Sequence, residues 1–408
     1  MRARQRTVFV ARGLVRAGLG LQASRHPFLV PDVPRPVRGR GLREVREAQE
    51  VIQEKFKEYY SRRQPPAPPR CGEREFGVGY EKKIDLRHLH FRDEAALKDY
   101  FREEAPLYAS YSIAYYDLPA ARPMKNKGFT GADLAFDFDV ARIGEHAHNP
   151  LICRPCLEAI LRDALLLKEE FLEADFGFSS KEIALNYSGN KGYHVHVRGD
   201  EVRELDGNAR RQLLQYVRGP EVAPLTEARH GTRKLLHGPG RGQTGWNAKF
   251  LHAAQEAVRN ASEESLKGLL PKKVREQLLA DKEGMVNALE EGRWELRLRP
   301  LWEQAFQDLK REKGLEPDAQ VSLDLARLIR LPDSLHGSTG LLAKTIDRPD
   351  FDPFKHALAF STGKRESAEL LRRVEFEFAG QEWALEGRVL VPEAIAVFLD
   401  GQGLLVGK

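Results

Sequence analysis

The feature that most constrains the fold of this 408-residue chain is a strict alternation of side chains over residues 133–140. Apolar residues stand at the even positions, whereas Asp133, Asp137 and Asp139 stand at odd positions. Successive side chains of a β-strand point to opposite faces, so the pattern predicts a half-buried strand with an acidic face.

Asp137 and Asp139 are two residues apart on this predicted strand, which places their carboxylates on one face, about 7 Å apart at the backbone. Carboxylates placed in this way can hold Mg²⁺ or Mn²⁺ against substrate phosphates. Two such ions can stabilise the attacking and leaving oxygens of an in-line phosphoryl transfer. An isolated pair of this kind is more often the solvated face of an edge strand, so the assignment needs a second signal.

A second signal is the polar connection Ser188–Gly192 between two predicted strands, Ile183–Tyr187 and Tyr193–Val197. Its glycines allow backbone N–H groups to approach an anion closely, and its serine and Lys191 add a hydroxyl and a positive charge. His194 lies on the strand that follows. The segment suits a nucleotide triphosphate; the alternative is an ordinary hairpin turn.

A third segment, Arg327–Gly340, combines Arg330 and His336 in an irregular stretch. Both side chains could bind phosphate oxygens through charge-assisted hydrogen bonds. The alternative is a surface loop with solvated arginines.

A separate metal site is indicated by the spacing of His146, His148, Cys153 and Cys156. Two cysteines three positions apart and two nearby histidines supply four ligands for tetrahedral Zn²⁺, which leaves no position for water and makes the site structural. The alternative is an unligated pair of thiols. Cys71 is distant in sequence and is interpreted as a plain thiol.

The composition excludes several classes of protein. Hydrophobic residues make up 41% and charged residues 31%, which is typical of a globular protein and not of a disordered one. Apolar runs stay shorter than the roughly 18–20 residues that span a bilayer. Three cysteines argue against a disulfide framework and fit a reducing cytoplasm.

The net charge of +5 is concentrated at the N-terminus. Residues 1–46 contain 11 arginines and 2 acidic residues, a surplus of 9 positive charges, so the remainder carries −4. Bulk charge therefore does not predict a nucleic-acid groove. Residues 1–45 have the composition of a transit peptide, but a flexible basic arm or a start codon assigned too early is favoured.

Periodicity predicts a helix over about Arg46–Tyr60 and strands at Val321–Leu325 and Val374–Phe378. Residues 205–314 are expected to form a helical insertion, because Trp302, Phe306 and Leu309 recur at helical spacing in a long, charged segment. The expected organisation is a basic extension over 1–45, a catalytic core over 46–204 and 315–408, and this insertion between the two parts of the core.

Several motifs, taken in order, give the chain a family resemblance over roughly residues 46–400. It resembles the catalytic small subunit of archaeal and eukaryotic DNA primases, and the last motif is of the archaeal form. The motifs that carry the resemblance are Arg74–Gly77, Tyr115–Pro119, Gly131–Asp139, Ser188–His194 and Arg327–Leu341.

The resemblance implies a role for individual residues. Asp137 and Asp139 match the paired metal-binding aspartates, and Asp318 matches a third catalytic aspartate, 18 positions before the motif histidine; Asp324 is the rival candidate. The positions that match nucleotide-binding residues are Arg74, Ser188, Gly189, Lys191, His194, Arg330 and His336. Lys191 stands where relatives usually carry arginine, so the phosphate geometry there is expected to be looser. Relatives also carry a zinc knuckle, here at about residues 144–158.

The implied fold is an α+β primase core, a mixed β-sheet with flanking helices, a zinc knuckle and an inserted helical subdomain. The implied activity is synthesis of short primers on single-stranded DNA from nucleoside triphosphates during DNA replication, with two Mg²⁺ or Mn²⁺ ions and a structural Zn²⁺. The implied partner is a primase large subunit with an iron–sulfur domain, and the implied location is the cytoplasm of an archaeon, at the nucleoid, without a membrane.

Two alternatives stay open from the sequence. One is a related primase-polymerase that acts in repair or gap filling. The other is a template-binding subunit that has lost catalysis, against which the three candidate aspartates argue, because a pure binding module does not need to cluster carboxylates against a polyanion.

Overall fold

The computed structural model describes residues 50–140 and 151–406. The chain divides into two compact units. Unit 1 is formed by Met1–Ala164, Ser179–Arg210 and Pro317–Lys408, and unit 2 by Leu165–Phe178 and Arg211–Glu316. The predicted N-terminal extension over residues 1–45 lies outside the described residues.

The elements before residue 205 alternate between helix and strand. Over residues 50–140 they are α1 (Glu50–Arg62), β1 (Phe76–Gly79), β2 (Leu86–Leu89), α2 (Glu94–Glu104), β3 (Tyr108–Ser112), β4 (Ala114–Tyr116), β5 (Phe129–Ala132) and β6 (Leu134–Asp139). Over residues 151–204 they are α3 (Arg154–Leu166), which continues as a π-helix over Leu167–Asp175, then β7 (Ile183–Tyr187), β8 (Gly192–Val197) and α4 (Asp200–Arg203).

The later elements begin with a mainly helical stretch and end with strands. Over residues 205–316 they are α5 (Gly207–Arg218), β9 (Thr226–His230), β10 (Arg233–His237), α6 (Gly245–Arg259), α7 (Glu263–Leu266), α8 (Lys272–Ala280), α9 (Lys282–Glu290), β11 (Arg293–Trp294) and α10 (Arg299–Lys313). Over residues 317–406 they are α11 (Ala319–Leu323), β12 (Leu328–Arg330), α12 (Pro353–His356), β13 (Arg365–Glu369), β14 (Val374–Phe378), β15 (Gln381–Leu385), β16 (Arg388–Pro392) and α13 (Glu393–Gly401).

Unit 1 contains a four-stranded sheet in the order β12-β3-β1-β2 and a three-stranded sheet in the order β6-β8-β7. Three smaller sheets pair β4 with β5, β13 with β16, and β14 with β15. The α+β class is confirmed, but the expectation of a mixed sheet is wrong for the described residues. Every pair of these strands is antiparallel, because close connections such as the β7–β8 hairpin reverse the chain direction.

The core of unit 1 places α1 and α2 against the four-stranded sheet. Phe56 and Tyr60 on α1 are fully buried, and the ring of Tyr60 lies 4.9 Å from that of Phe101 on α2. Asp93 begins α2 by accepting a hydrogen bond from the N–H of Ala96 at 2.9 Å, which satisfies one of the free donors of the first turn.

Most of the local predictions in unit 1 agree with the structure. The strands predicted around Asp137 and on both sides of Ser188–Gly192 form β6, β7 and β8, and Val374–Phe378 is β14. The strand predicted at Val321–Leu325 is wrong. That segment is largely the short helix α11, which Asp318 begins by accepting a hydrogen bond from the N–H of Gln320.

Unit 2 has an aromatic core. The ring of Trp294 on β11 stacks on Phe250 of α6 at 4.9 Å, and Trp302 of α10 lies 5.2 Å from Trp294. Phe306, one turn further along α10, lies 5.4 Å from Phe250. The helical spacing of Trp302 and Phe306 is therefore confirmed, but residues 205–314 also contain a three-stranded antiparallel sheet, β11-β10-β9.

Among the helices that the structure describes, none is both long enough and apolar enough to cross a membrane.

Candidate active site

The segments that carry the three candidate aspartates adjoin at the edge strand β6 of the β6-β8-β7 sheet. Asp137 and Asp139 lie on β6 with one residue between them, and Asp318 lies immediately before α11. The backbone N–H of Asp318 donates to the carbonyl oxygen of Asp137 at 2.7 Å. This bond joins two segments that are distant in sequence.

The electrostatics of the group favour a cation. Burial raises the pKa of the Asp137 carboxyl, His194 opposes this rise, and the charges of Asp139 and Asp318 raise the pKa further. The side chain of Asp137 is 21% exposed, so one part of it stays accessible. Negative charges that destabilise one another in a partly dry position favour a nearby positive charge. Among residues 50–140 and 151–406, however, no three His, Cys, Asp or Glu side chains are grouped closely enough to form a metal site by themselves.

His194 faces Asp137 across the β6–β8 pair. The two residues are direct cross-strand neighbours, and Nε2 of His194 lies 3.3 Å from Oδ1 of Asp137. Burial lowers the pKa of His194, while Asp137 opposes that effect. The imidazole is therefore neutral near pH 7, and one of its nitrogens is a hydrogen-bond donor without a formal charge.

The two candidates for the third aspartate differ in their surroundings. Oδ2 of Asp318 lies 3.4 Å from Nη1 of Arg327, and its charge acts on Asp137. Asp324 ends α11, where its Oδ1 accepts a hydrogen bond from the N–H of Ala326 at 3.0 Å. Both aspartates make a local capping contact at an end of α11, and they differ in that only Asp318 is also joined to Asp137 by a backbone hydrogen bond.

The loop between β7 and β8 is ordered by its own serine. Oγ of Ser188 accepts hydrogen bonds from the N–H groups of Gly192, at 3.1 Å, and Asn190, at 3.4 Å. The carbonyl oxygen of Lys191 accepts from the N–H of Val140 at 2.9 Å, which ties the loop to the end of β6. The loop therefore lies beside the aspartates.

Gly189 allows this loop to contact the segment after β12. Its φ is +84°, and a Cβ at this position would lie 2.8 Å from Cβ of His336. Its carbonyl oxygen accepts a hydrogen bond from Oγ1 of Thr339 at 2.5 Å. Any side chain would push the two segments apart, so the glycine is required by a close approach as well as by its backbone angle.

Arg330 and His336 complete a basic side of the site. Burial lowers the pKa of the Arg330 guanidinium to about 10, and its Nη1 donates to the carbonyl oxygen of Ala109 at 3.2 Å. No carboxylate of the described residues forms an ion pair with Arg330. A half-buried cation without a carboxylate partner is suited to an anionic ligand.

His336 is a neutral donor. Burial, followed by the charges of Arg330 and Lys83, holds its pKa well below the usual range. Its Nδ1 accepts a hydrogen bond from the N–H of Ser338 at 3.2 Å, so Nε2 carries the proton of the neutral ring. Two neighbours of His336 were not predicted from the sequence. The ring of Tyr108 lies 5.3 Å from that of His336 and under Arg330, and the charge of Lys83 acts on His336. Tyr108 is on a buried strand and Lys83 on a loop, where no motif singles them out.

The side chain of Arg74, which the sequence predicts to bind the nucleotide, is bound by oxygens of the protein itself. Its side chain is fully buried, and it forms an ion pair with Asp133 at 2.7 Å. All five of its N–H groups are directed at oxygens of the protein, namely those of Pro69, Ser112, Ile113, Tyr115 and Asp133. Arg74 belongs to one of the motifs that carry the family resemblance, and its side chain connects the start of β1 to the start of β6.

The predicted zinc ligands are only partly described. Cys153 and Cys156 flank the start of α3, and burial together with the Cys153 thiol raises the pKa of Cys156 to about 11. The two thiols thus interact with one another. His146 and His148 lie outside the described residues.

The chain was compared with known proteins. The sequence model of the family described as "DNA primase small subunit" matches residues 136–348. A relative named "DNA primase small subunit PriS" from Methanothrix thermoacetophila is 31% identical, covering 86% of this chain and 97% of the relative. Proteins of the same name from Halorubrum lacusprofundi and Archaeoglobus fulgidus are 32% and 31% identical, covering 87% and 86% of this chain and 96% of each relative.

Proposed function

The chain belongs to the DNA primase small subunit family, and from this premise we propose that Asp137, Asp139 and Asp318 form its metal-dependent nucleotidyl-transfer site. Membership makes the chain the catalytic subunit of a DNA primase that acts in DNA replication. The observation that supports the proposal for the site is the hydrogen bond from the backbone N–H of Asp318 to the carbonyl oxygen of Asp137, which holds the segment of Asp318 against the strand that carries Asp137 and Asp139.

The proposed reaction joins two nucleotides on a single-stranded DNA template. The 3′-hydroxyl oxygen of one nucleotide forms a bond to the α-phosphorus of the next, the bond from that phosphorus to the β-phosphate oxygen breaks, and pyrophosphate and the hydroxyl proton leave. Asp137, Asp139 and Asp318 would hold Mg²⁺ or Mn²⁺, which would supply positive charge against the developing charge of the phosphates.

The side chains around the aspartates bind and orient the triphosphate in this proposal. Arg330 and Lys191 contribute positive charge, and Nε2–H of His336 is a neutral donor. The loop that Ser188 orders lies beside Asp139 and Val140, because Gly192 pairs with Asp139 and the N–H of Val140 donates to the carbonyl oxygen of Lys191. Side-chain donors that are held in place before the reaction act without rearrangement when the charge develops.

Two structural parts of the proposal go beyond the site. We propose that unit 2 is the subdomain inserted into the primase core, since it is bounded on both sides by segments of unit 1. We also propose that Cys153 and Cys156 bind a structural Zn²⁺ together with His146 and His148, and that the chain works with a primase large subunit.

The decisive experiment is synthesis on unprimed single-stranded DNA with labelled nucleotides and Mg²⁺ or Mn²⁺. Wild type is compared with the double variant Asp137→Ala plus Asp139→Ala, with and without a large subunit. Short products from wild type, together with none from the double variant, support the proposal. Products that persist in the double variant refute the metal assignment, and an inactive wild type, even with the large subunit, refutes catalysis by this site.

A further inference from the structure

Asp137, His194 and Asn186 form one row across the three-stranded sheet. His194 on β8 is the direct cross-strand neighbour of Asp137 on β6, and Asn186 on β7 is the direct neighbour of His194 on its other side. Directly opposed residues of antiparallel strands point to the same face, with Cβ atoms about 5 Å apart. Asn186 therefore lies on the face that carries the proposed metal ligands.

The amide of Asn186 is buried without a partner. The residue is 2% exposed, and neither Oδ1 nor Nδ2 has a hydrogen-bond partner among residues 50–140 and 151–406. A buried polar group in this condition destabilises the folded state, and native structures rarely contain one without a reason. A leucine of similar shape would avoid that cost, so packing alone does not account for an asparagine here.

The position of the amide indicates what its ligand is. Ser188 follows two residues later and orders the loop proposed to bind phosphates, and His194 lies next to the amide in the row. An amide N–H donates to a phosphate oxygen without changing the charge balance that the three carboxylates set. Its oxygen can accept from a water molecule at the same place.

We propose that Asn186 is a further substrate-binding residue, whose amide donates to the triphosphate of the incoming nucleotide. This inference rests on the proposed function of the site. In the row Asp137–His194–Asn186, the carboxylate of Asp137 is then at one end and the amide of Asn186, a neutral hydrogen-bond donor, is at the other.

The test uses the full-length chain and measures two quantities, thermal stability and binding of dATP in Mn²⁺, for wild type and Asn186→Leu. Because the substitution removes an unsatisfied buried group and a donor to a charged ligand, we expect an equal or higher Tm and a Kd for dATP raised about 10-fold or more. A structural role predicts the reverse pattern, with a lower Tm and unchanged affinity of the folded protein.

Inorganic tripolyphosphate in Mn²⁺ identifies the contact. If the amide binds phosphate, Asn186→Leu weakens the binding of tripolyphosphate and the binding of dATP to the same degree. Loss of affinity for dATP alone would assign the amide to the sugar or base and overturn the proposal.

His196→Phe is the matched control. His196 is on the same face one row away, it is fully buried, and its two ring nitrogens are also without partners in the described part of the chain. We expect the affinity of the His196→Phe variant for dATP to equal that of wild type. If His196→Phe and Asn186→Leu lose the same affinity, the effect comes from disturbance of the sheet, and the assignment of Asn186 is overturned. If Asn186→Leu does not fold, Asn186→Ala is judged by the same binding comparison.

The two proposals fail differently. If wild type does not bind dATP in a Mn²⁺-dependent manner, the proposed metal site fails. If wild type binds and Asn186→Leu binds equally well, only the assignment of Asn186 fails.

Discussion

The backbone N–H of Asp318 lies 2.7 Å from the carbonyl oxygen of Asp137, and this bond aligns the segment before α11 with β6. Because the contact is between main-chain atoms, the side chains of both residues can be changed without breaking it. The position of the third acid can therefore be tested separately from the folding of the segment that carries it.

We expect Asp318→Asn to reduce primer synthesis on the order of 100-fold or more, since a lost metal ligand removes several kcal/mol of transition-state stabilisation. Asparagine is as good a helix N-cap as aspartate, so the Tm should change little. Asp324→Asn is the matched control and should keep most of its activity. The opposite ranking in the primer-synthesis assay would transfer the role to Asp324.

Arg74 gives a prediction of the opposite kind. Arg74→Leu should lower the free energy of unfolding by about 3 kcal/mol, because it removes the nearer of two guanidinium groups from the buried Asp133 and leaves only Arg198, at 3.6 Å, as its cation. Where the variant folds, its Kd for dATP should match that of wild type. Denaturant unfolding and dATP binding measure the two effects. A variant of unchanged stability with weakened dATP binding would show that Arg74 binds the nucleotide.

The contrast between Arg74 and the aspartates shows what the sequence could predict. Strands β6, β7 and β8 follow local alternation, and Asp137, Asp139 and His194 share a face by strand periodicity alone. The burial of Arg74 depends on Asp133, 59 positions away, which no local pattern specifies.

Helix α11 shows a different limit of prediction from sequence. Val321, Leu323 and Leu325 alternate with polar residues as in a strand, yet the cap that Asp318 provides begins a helix there. The row that ends at Asn186 could not be predicted from the sequence either, because the register between strands is set by pairing in three dimensions.

The proposed zinc site predicts the metal content of the purified protein. Wild type should contain one Zn²⁺ per chain, and Cys153→Ser plus Cys156→Ser should contain none and have a lower Tm, since metal binding to a structural site contributes to folding. Cys71→Ser is the control, because Cys71 is a buried thiol directed at the carbonyl oxygen of Phe91 and is not a proposed ligand. Elemental analysis decides the matter: zinc retained by the double variant would rule out these two cysteines.

Glu393 gives a prediction about acid stability. Burial alone would raise the pKa of its carboxyl, but hydrogen bonds from Lys55 and Lys364 and from the N–H of Ser361 outweigh burial and lower the pKa to about 2. Because the pKa in the folded chain is below its ordinary value of 4.5, the stabilisation is complete above about pH 4.5 and is lost as the pH falls toward 2.

Glu393→Gln should therefore lower the free energy of unfolding at pH 7 by about 1–2 kcal/mol, after allowance for screening by solvent. At pH 3 the difference from wild type should be smaller, because the wild-type carboxylate is then nearer to protonation. Glu375→Gln is the control, since Glu375 pairs with Arg373 on the surface, with both side chains 64% exposed, and should change stability little at either pH. Urea unfolding at both pH values measures these differences; a Glu393→Gln deficit that is equal at pH 7 and pH 3 would show that the contacts of Glu393 act through packing and not through its charge.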